Sequence, residues 1–432
     1  MSCINQIWNW VSAFQGISLA NCPIGIQLAG NADGGVLLLD SEATNVPLVF
    51  QTVGTKHIFI ERFTATNVDT IVSTGLPGAP GATVQVPGWR QGPLYAAGGG
   101  APDPAADGKV PLTRPDAPLP RRARPTFDGD AAPPVSATAV GAVGDGRTDC
   151  TAALRRALAA APAAVFLPFG NYLISDTLTM PPNGALVGEL GSVLLANGSA
   201  PAFSDAAAPR PLLLVPAAST GVRLVDLLFS ATGPGDAPGL VFLDWQAPGD
   251  APSGLWDVSW RLFHGAADLF LVRGEGAGVY WEEGWGWVAD HDVDTGQSLT
   301  VKNPRGMTVT GSGESWLYGT AMEHSFLWQY NFSGCGPVTT IVTQTETDYW
   351  STPPTGWAMV HENARVQMYG SGWYNWFNGN QTALWTRANS TGSSFLINVH
   401  GTNNVVVGDV QIPAYTPIEE EWFCDGFSAM LG

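Results

Sequence analysis

The sequence predicts an all-β fold, a parallel β-helix, and three observations carry that expectation. Charged residues make up only 13% of the chain, while Gly (52), Pro (33) and Trp (17) are plentiful; this balance suits many short strands and turns better than long amphipathic helices. An apolar run ending in an asparagine recurs at Gly16 to Asn21, Leu37 to Asn45 and Ile58 to Asn67, at intervals of 24 and 22 residues. No extended helical periodicity interrupts it. A period of about 20 to 25 residues with short apolar strands is that of a solenoid, in which each coil buries its inward residues against the coils above and below. Stacked asparagines at one corner of the coil follow from it. The alternative is a chance recurrence of Thr/Asn turns in a β-sandwich.

The 432 residues are enough for two or three domains, and 45% hydrophobic content is enough for a large core. From about residue 97 to 134 the chain turns to Gly98-Gly99-Gly100 and nine prolines, with Arg121, Arg122 and Arg124 clustered, which reads as a linker. The expected organisation is therefore the last coils of a first β-helix over residues 1–96, the linker over 97–134, and a second, complete β-helix over 135–432. Residues 1–20, with Trp8, Trp10 and no Lys or Arg, lack the basic and apolar regions of a signal peptide and read like the middle of a domain. After the linker, Gly141 to Cys150 forms a glycine-rich loop leading into Thr151 to Leu158, the one short helix the pattern supports, with Thr148 or Asp149 as cap. Strands follow at Ala164 to Leu167, Tyr172 to Ser175 and Ala185 to Val187. No Lys follows the Gly-Asp-Gly stretch, so phosphate binding is discounted.

Charge narrows the partners. With 19 basic and 37 acidic residues the net charge is −18, which repels nucleic acid and anionic lipid alike, and no stretch is apolar enough to span a membrane. Cys3, Cys22, Cys150, Cys335 and Cys424 lie far apart with no CxxC pair, so neither a zinc site nor a disulfide-dense scaffold is indicated. Asn-x-Ser/Thr sequons at Asn197, Asn331, Asn380 and Asn389 are compatible with secretion.

Fourteen of the 17 tryptophans lie after residue 240, including Trp281, Trp285, Trp287, Trp316, Trp328, Trp350, Trp373 and Trp376. Flat aromatic faces stack on sugar rings, so a Trp-rich cleft in an acidic protein suggests a neutral glycan; core packing is the plainer reading of any single one. Glu323 and Glu346 stand 23 residues apart, about one coil, so they fall at similar corners of adjacent rungs whose strands lie about 4.8 Å apart. Two carboxyls at such range in an aromatic cleft are what glycoside hydrolysis needs, one protonated and one ionised. The plainer reading of either is a solvated surface carboxylate. The run Asp290 to Asp294 mimics a calcium loop, but Thr295 stands where the turn needs Gly and Val301 where a bidentate Glu belongs. A polyuronate substrate would call for Lys and Arg, which are sparse after residue 270.

Four segments carry a family resemblance: WGWVADHDVD (Trp285 to Asp294), WLYGTAMEHSFLWQYNF (Trp316 to Phe332), TQTETDYW (Thr343 to Trp350) and MYGSGWYNWF (Met368 to Phe377). In this order they resemble the C-terminal β-helix of glycoside hydrolase family 55, the exo-acting β-1,3-glucanases. IWNWVSAFQGISLANCPIGIQL resembles late coils of that family's first β-helix, and the loop, helix and LPFGNYLISDTLTM resemble the entry module of pectate-lyase-type β-helices. The resemblance implies two right-handed parallel β-helices side by side and release of glucose from the non-reducing end of laminarin-like β-1,3-glucan with inversion. It implies Glu346 as general acid, Glu323 as a holder of the attacking water, and Tyr349 with Trp285 or Trp287 at the glucose subsite. His324 and Gln344, in the same motifs, join the candidate substrate-binding residues. It further implies an extracellular monomer without metal or cofactor. Asp348 stands where the family usually has Pro. Only the last coils of the first β-helix match this chain, so a non-catalytic glucan-binding β-helix is the alternative.

Overall fold

Alternation along the strands builds the solenoid. In Gly254–Leu262, Val258, Trp260 and Leu262 are buried while Asp257, Ser259 and Arg261 are partly exposed, the two-residue period of a strand with one face on a core. Adjacent rungs pair in parallel and in register: Trp260 with Gly286, Gly286 with Met322, Met322 with Thr345, and Thr345 with Trp373. This column faces inward. Gly286 is required there, because a Cβ would come within 2.2 Å of the Met322 sulfur.

The computed structural model describes residues 2–6, 11–28, 35–52, 57–91, 94–95, 108–109, 118–127, 133–160, 164–351, 356–375, 382–386, 391–401, 405–407, 410–412 and 429–431. They form an all-β parallel solenoid of about 12 turns. One sheet gathers the strands of the first 91 residues, including Gly35–Thr44 and Ile58–Val72. Two further sheets run through the rest. One carries Gly254–Leu262, Tyr280–Val288, Ser315–Glu323, Val338–Glu346 and Arg365–Asn375; the other carries Asn303–Val309, Ser325–Ser333 and Trp357–Glu362. Trp8, Trp10, Trp376, Cys424, Asn380 and Asn389 lie outside the described residues.

Asparagine repeats form the expected ladder. Asn21, Asn45 and Asn67 all adopt positive φ (56°, 54° and 51°), a region asparagine tolerates better than most residues. The Asn45 amide donates to Asn21 Oδ1 at 3.1 Å, and the Asn67 amide to Asn45 Oδ1 at 2.8 Å. A second left-handed corner runs through Asp226, Asp257, Glu283, Gly319, Val342 and Gly370 on successive rungs. It bends each strand, so that one half faces the first sheet and the other half faces the cleft described below.

Strand Gly35–Thr44 explains its uninterrupted apolar run by being buried on both sides. Val36 and Leu38 pack into the core of their own solenoid, while Leu37 and Leu39 pack with Phe59 against Trp256, Tyr280, Tyr318 and Tyr369. Between them runs the described part of the proline-rich segment. Leu119 joins this contact. The Arg122 guanidinium lies 4.6 Å from the Tyr280 ring centre and 5.0 Å from that of Trp316, and Arg124 pairs with both Asp226 and Asp257. Cationic stacking and ion pairing thus tie the segment down. Residues 97–134 were expected as a plain linker; 118–127 act as a packed seam.

Helix Thr151–Ala160 buries Ala153, Leu154, Ala157 and Leu158, one face at helical spacing. Of the two expected caps, Asp149 serves: its Oδ1 accepts from the Thr151 amide at 2.9 Å and hydroxyl at 2.6 Å, whereas the Thr148 hydroxyl turns to Asp145. The expected strands are found at Ala164–Leu167, Asn171–Ile174 and Ala185–Gly188. Cys3 and Cys22 form a disulfide with Cα atoms 6.0 Å apart, while Cys150 and Cys335 are free.

Candidate active site

Because Gly286 and Met322 point inward, their neighbours point outward, and outward-facing residues of four rungs form the floor of a cleft. Arg261 pairs with Trp287, Trp287 with Glu323, and Glu323 with Glu346. The cleft, of about 430 Å³, is lined by Ser259, Arg261, Trp285, Trp287, Asp290, His291, Glu323, His324 and Glu346 among others. A second hollow of about 500 Å³ adjoins it, sharing Ser259, Trp285 and Glu323 and adding Asp257, Glu283 and Gln344. Trp285 stands between the two, 43% exposed, and stacks on Trp287 with ring centres 5.1 Å apart and planes 16° apart. The exposed Trp285 indole, backed by the buried Trp287, presents the flat apolar surface a sugar ring fits.

Sequence spacing left the relation of the two glutamates open, a diagonal placement being one way to leave room for water. The register is direct, not diagonal. Glu323 and Glu346 are opposite partners on adjacent strands, and the nearest ligand atoms of Glu323, His324 and Glu346 all lie within 4.8 Å of one another. Glu323 is 6% exposed, and the Gln344 amide, one rung on, donates to its Oε1 at 2.6 Å. Burial pushes the Glu323 carboxyl up to about 7, reinforced by the Glu346 charge and opposed by His324. Glu346 is the more open of the two, its side chain 29% exposed.

His324 owes its place to a break in the strand pattern. Consecutive strand residues point to opposite faces, but His324 has φ 68°, between Ser315–Glu323 and Ser325–Ser333, and its imidazole turns to the same side as Glu323. Its backbone N–H donates to the Glu346 carbonyl at 2.7 Å, Nδ1 lies 2.9 Å from the Val288 carbonyl, and Nε2 is 3.6 Å from Glu346 Oε1. Burial pulls the imidazole pKa down, but the two glutamates outweigh it and the net shift is upward. Tyr349 and Trp350 pack edge-on to the ring at 5.5 and 5.2 Å.

All seven expected site residues thus gather in this region: Trp285, Trp287, Glu323, His324 and Glu346 in the cleft, Gln344 in the adjoining hollow, and Tyr349 beside His324. Sequence reading passed over Ser259 and Arg261, and weighed Asp290 only as the start of a calcium-like run. Asp290 accepts a hydrogen bond from the Tyr349 hydroxyl, and Arg261 lies 5.5 Å from the Trp287 ring centre. Their signal was present: each sits at an outward position two residues from another, or in the WGWVADHDVD segment. The apparent calcium loop is a self-satisfied turn, in which Asp292 Oδ1 accepts from Asp294 and from the amide and hydroxyl of Thr295.

A sequence-family model described as "Rhamnogalacturonase A/epimerase, pectate lyase-like" matches residues 135–204, the helix-capped entry. A "Glucan 1,3-beta-glucosidase" of Cochliobolus carbonum is 26% identical over 403 residues, covering 81% of this chain and 50% of the relative. The chain is a homologue of glucan 1,3-beta-glucosidases. A "Probable glucan endo-1,3-beta-glucosidase" of Arthroderma benhamiae is 33% identical over 267 residues, 54% of this chain and 30% of the relative. The chain therefore spans half or less of these curated glucosidase homologues. Among solved structures, a variant of sacteLam55A from Streptomyces sp. SirexAA-E in complex with glucose matches 96% of this chain and 78% of its own, with a TM-score of 0.50 at 14% identity. That likeness is one of fold, and it extends over nearly the whole chain.

Proposed function

We propose that this chain hydrolyses β-1,3-glucan of the laminarin type, releasing glucose from the non-reducing end with inversion. The observation that carries the reading is the directly paired Glu323 and Glu346 under the stacked indoles of Trp285 and Trp287. Two carboxyls held this close resist double ionisation, so the pair retains a proton into the neutral range, in keeping with Glu323 raised to about 7. Glu346, the member open to the cleft, delivers it to the glycosidic oxygen as general acid. Glu323, left ionised once the shared proton is delivered and fixed by Gln344, orders the attacking water and accepts the proton it loses. The tryptophans, His324 and Tyr349 hold the sugar.

A retaining reaction is the second reading, since the pair's closest atoms lie within 4.8 Å, nearer to the roughly 5–5.5 Å of retaining pairs than to the roughly 6.5–9.5 Å of inverting ones. Against it, a carboxyl kept protonated by burial is a poor nucleophile. The Cys3–Cys22 disulfide supports an extracellular glucanase, which we take to act as a monomer.

Glucose release from laminarin, followed by NMR, tests the proposal. α-Glucose as first product supports inversion, and β-glucose supports the retaining reading. Binding without release, unchanged by Glu346→Gln, would make the chain a glucan-binding β-helix.

A further inference from the structure

We propose that Glu323, His324 and Glu346 form a binding site for a divalent transition-metal ion of zinc type, and that its occupation closes the cleft to glucan. One atom from each of the three lies within 4.8 Å of the others. Bound zinc places nitrogen and oxygen donors at about 2.0–2.2 Å, so small side-chain rotations bring the three onto one ion.

The independent observation is the state of His324. The residue is 3% exposed, and its Nε2 is buried with no hydrogen-bond partner. The 3.6 Å to Glu346 Oε1 is too long for a hydrogen bond. With Nδ1 donating to the Val288 carbonyl, Nε2 faces the two carboxylates, and a metal ion would bind there in exchange for any proton Nε2 carries. A metal-ligating histidine is commonly fixed in this way, its far nitrogen hydrogen-bonded to a backbone carbonyl. Gln344 holds the Glu323 carboxylate likewise. Two carboxylates neutralise a dication, and one imidazole with two oxygens suits zinc, cobalt or copper better than calcium or magnesium. All three donors line the cleft, which leaves the fourth position facing the space a sugar would fill. Metal binding stands on this geometry alone; its effect on turnover rests on the hydrolase reading above.

The test is calorimetric titration of the full chain with zinc chloride, repeated with cobalt(II) and its visible absorption spectrum. We expect one ion per chain, at least tenfold weaker binding in His324→Gln and in Glu346→Gln, and loss of glucose release from laminarin that chelator restores. Circular dichroism checks that both variants fold, and Glu346, being half-exposed, provides the variant that leaves the core intact. No binding of either metal, or binding unchanged in both variants, overturns the site. Zinc binding by a chain that releases no glucose even with chelator overturns the hydrolase reading and leaves the site standing. Glucose release that zinc neither binds nor inhibits does the reverse.

Discussion

The Tyr349 hydroxyl donates to the Asp290 carboxylate, joining two loops that flank the cleft and lie 59 residues apart in sequence. Burial pushes Asp290 up, but this hydrogen bond, with the charge of His324, holds it below the usual carboxylate range. Asp290 therefore stays ionised at the cleft wall. Removing the hydroxyl with Tyr349→Phe leaves a partly buried carboxylate with His291 but without its tyrosine donor, at a cost of about 1.5–3 kcal/mol for a hydrogen bond to a charged group. We expect a corresponding loss of stability to denaturant, faster amide exchange in residues 289–300, and a roughly tenfold lower kcat/KM on laminarin.

Glu346→Gln keeps the shape of the cleft and removes the proton donor. General acid catalysis contributes roughly 10²–10⁴-fold, so kcat should fall by that factor while laminari-oligosaccharide affinity, measured by calorimetry, stays within about threefold. Equal loss of both would mean that Glu346 binds and does not donate.

For Glu323 the pH dependence has a definite sign. Its carboxyl sits at about 7 in the folded chain, against an ordinary 4.5, through burial. A raised carboxyl pKa stabilises the fold fully below about pH 4.5, and that contribution is lost as pH rises through 7. It is on the order of 3 kcal/mol. Denaturant melts of the native chain should therefore weaken across this window, and those of Glu323→Gln should not.

Trp285, partly exposed between the two hollows, is expected to act mainly through sugar stacking, with its hydrogen bond to Glu323 as a smaller contribution. Trp285→Ala should raise KM for laminari-oligosaccharides about tenfold, with Tm shifted by less than about 2 °C, since a half-exposed indole contributes little to the core.

The asparagine ladder offers a test away from the cleft. Asn45→Ala removes both side-chain bonds of the middle rung and places alanine at φ 54°, a left-handed position costing roughly 1–2 kcal/mol. We expect about 2 kcal/mol of destabilisation, partly recovered in Asn45→Gly, which restores the backbone freedom but not the bonds.

The solenoid was legible because its cause is local. Apolar alternation and the Asn21, Asn45 and Asn67 spacing recur in sequence as they stack in space, since a parallel coil places residues one period apart directly above one another. By the same logic the 23-residue interval was enough to bring Glu323 and Glu346 to adjacent rungs. The packed seam at 118–127 was not legible, because Arg122 and Arg124 find Tyr280, Trp316, Asp226 and Asp257 across distances along the chain that no period encodes. The place of Asp290 at the cleft was not legible for the same reason: its partner, Tyr349, lies on another loop.

Sequence alone thus determined the period, the inward and outward faces, and the residues that meet along one face of the coil. Tertiary structure decided what those residues can do. The direct register brought the two carboxyls within reach of each other, burial raised Glu323, and the left-handed backbone at His324 turned its imidazole to the glutamates. Each depends on desolvation and on a backbone angle set by neighbouring rungs, and both are properties of packing that a linear pattern does not contain.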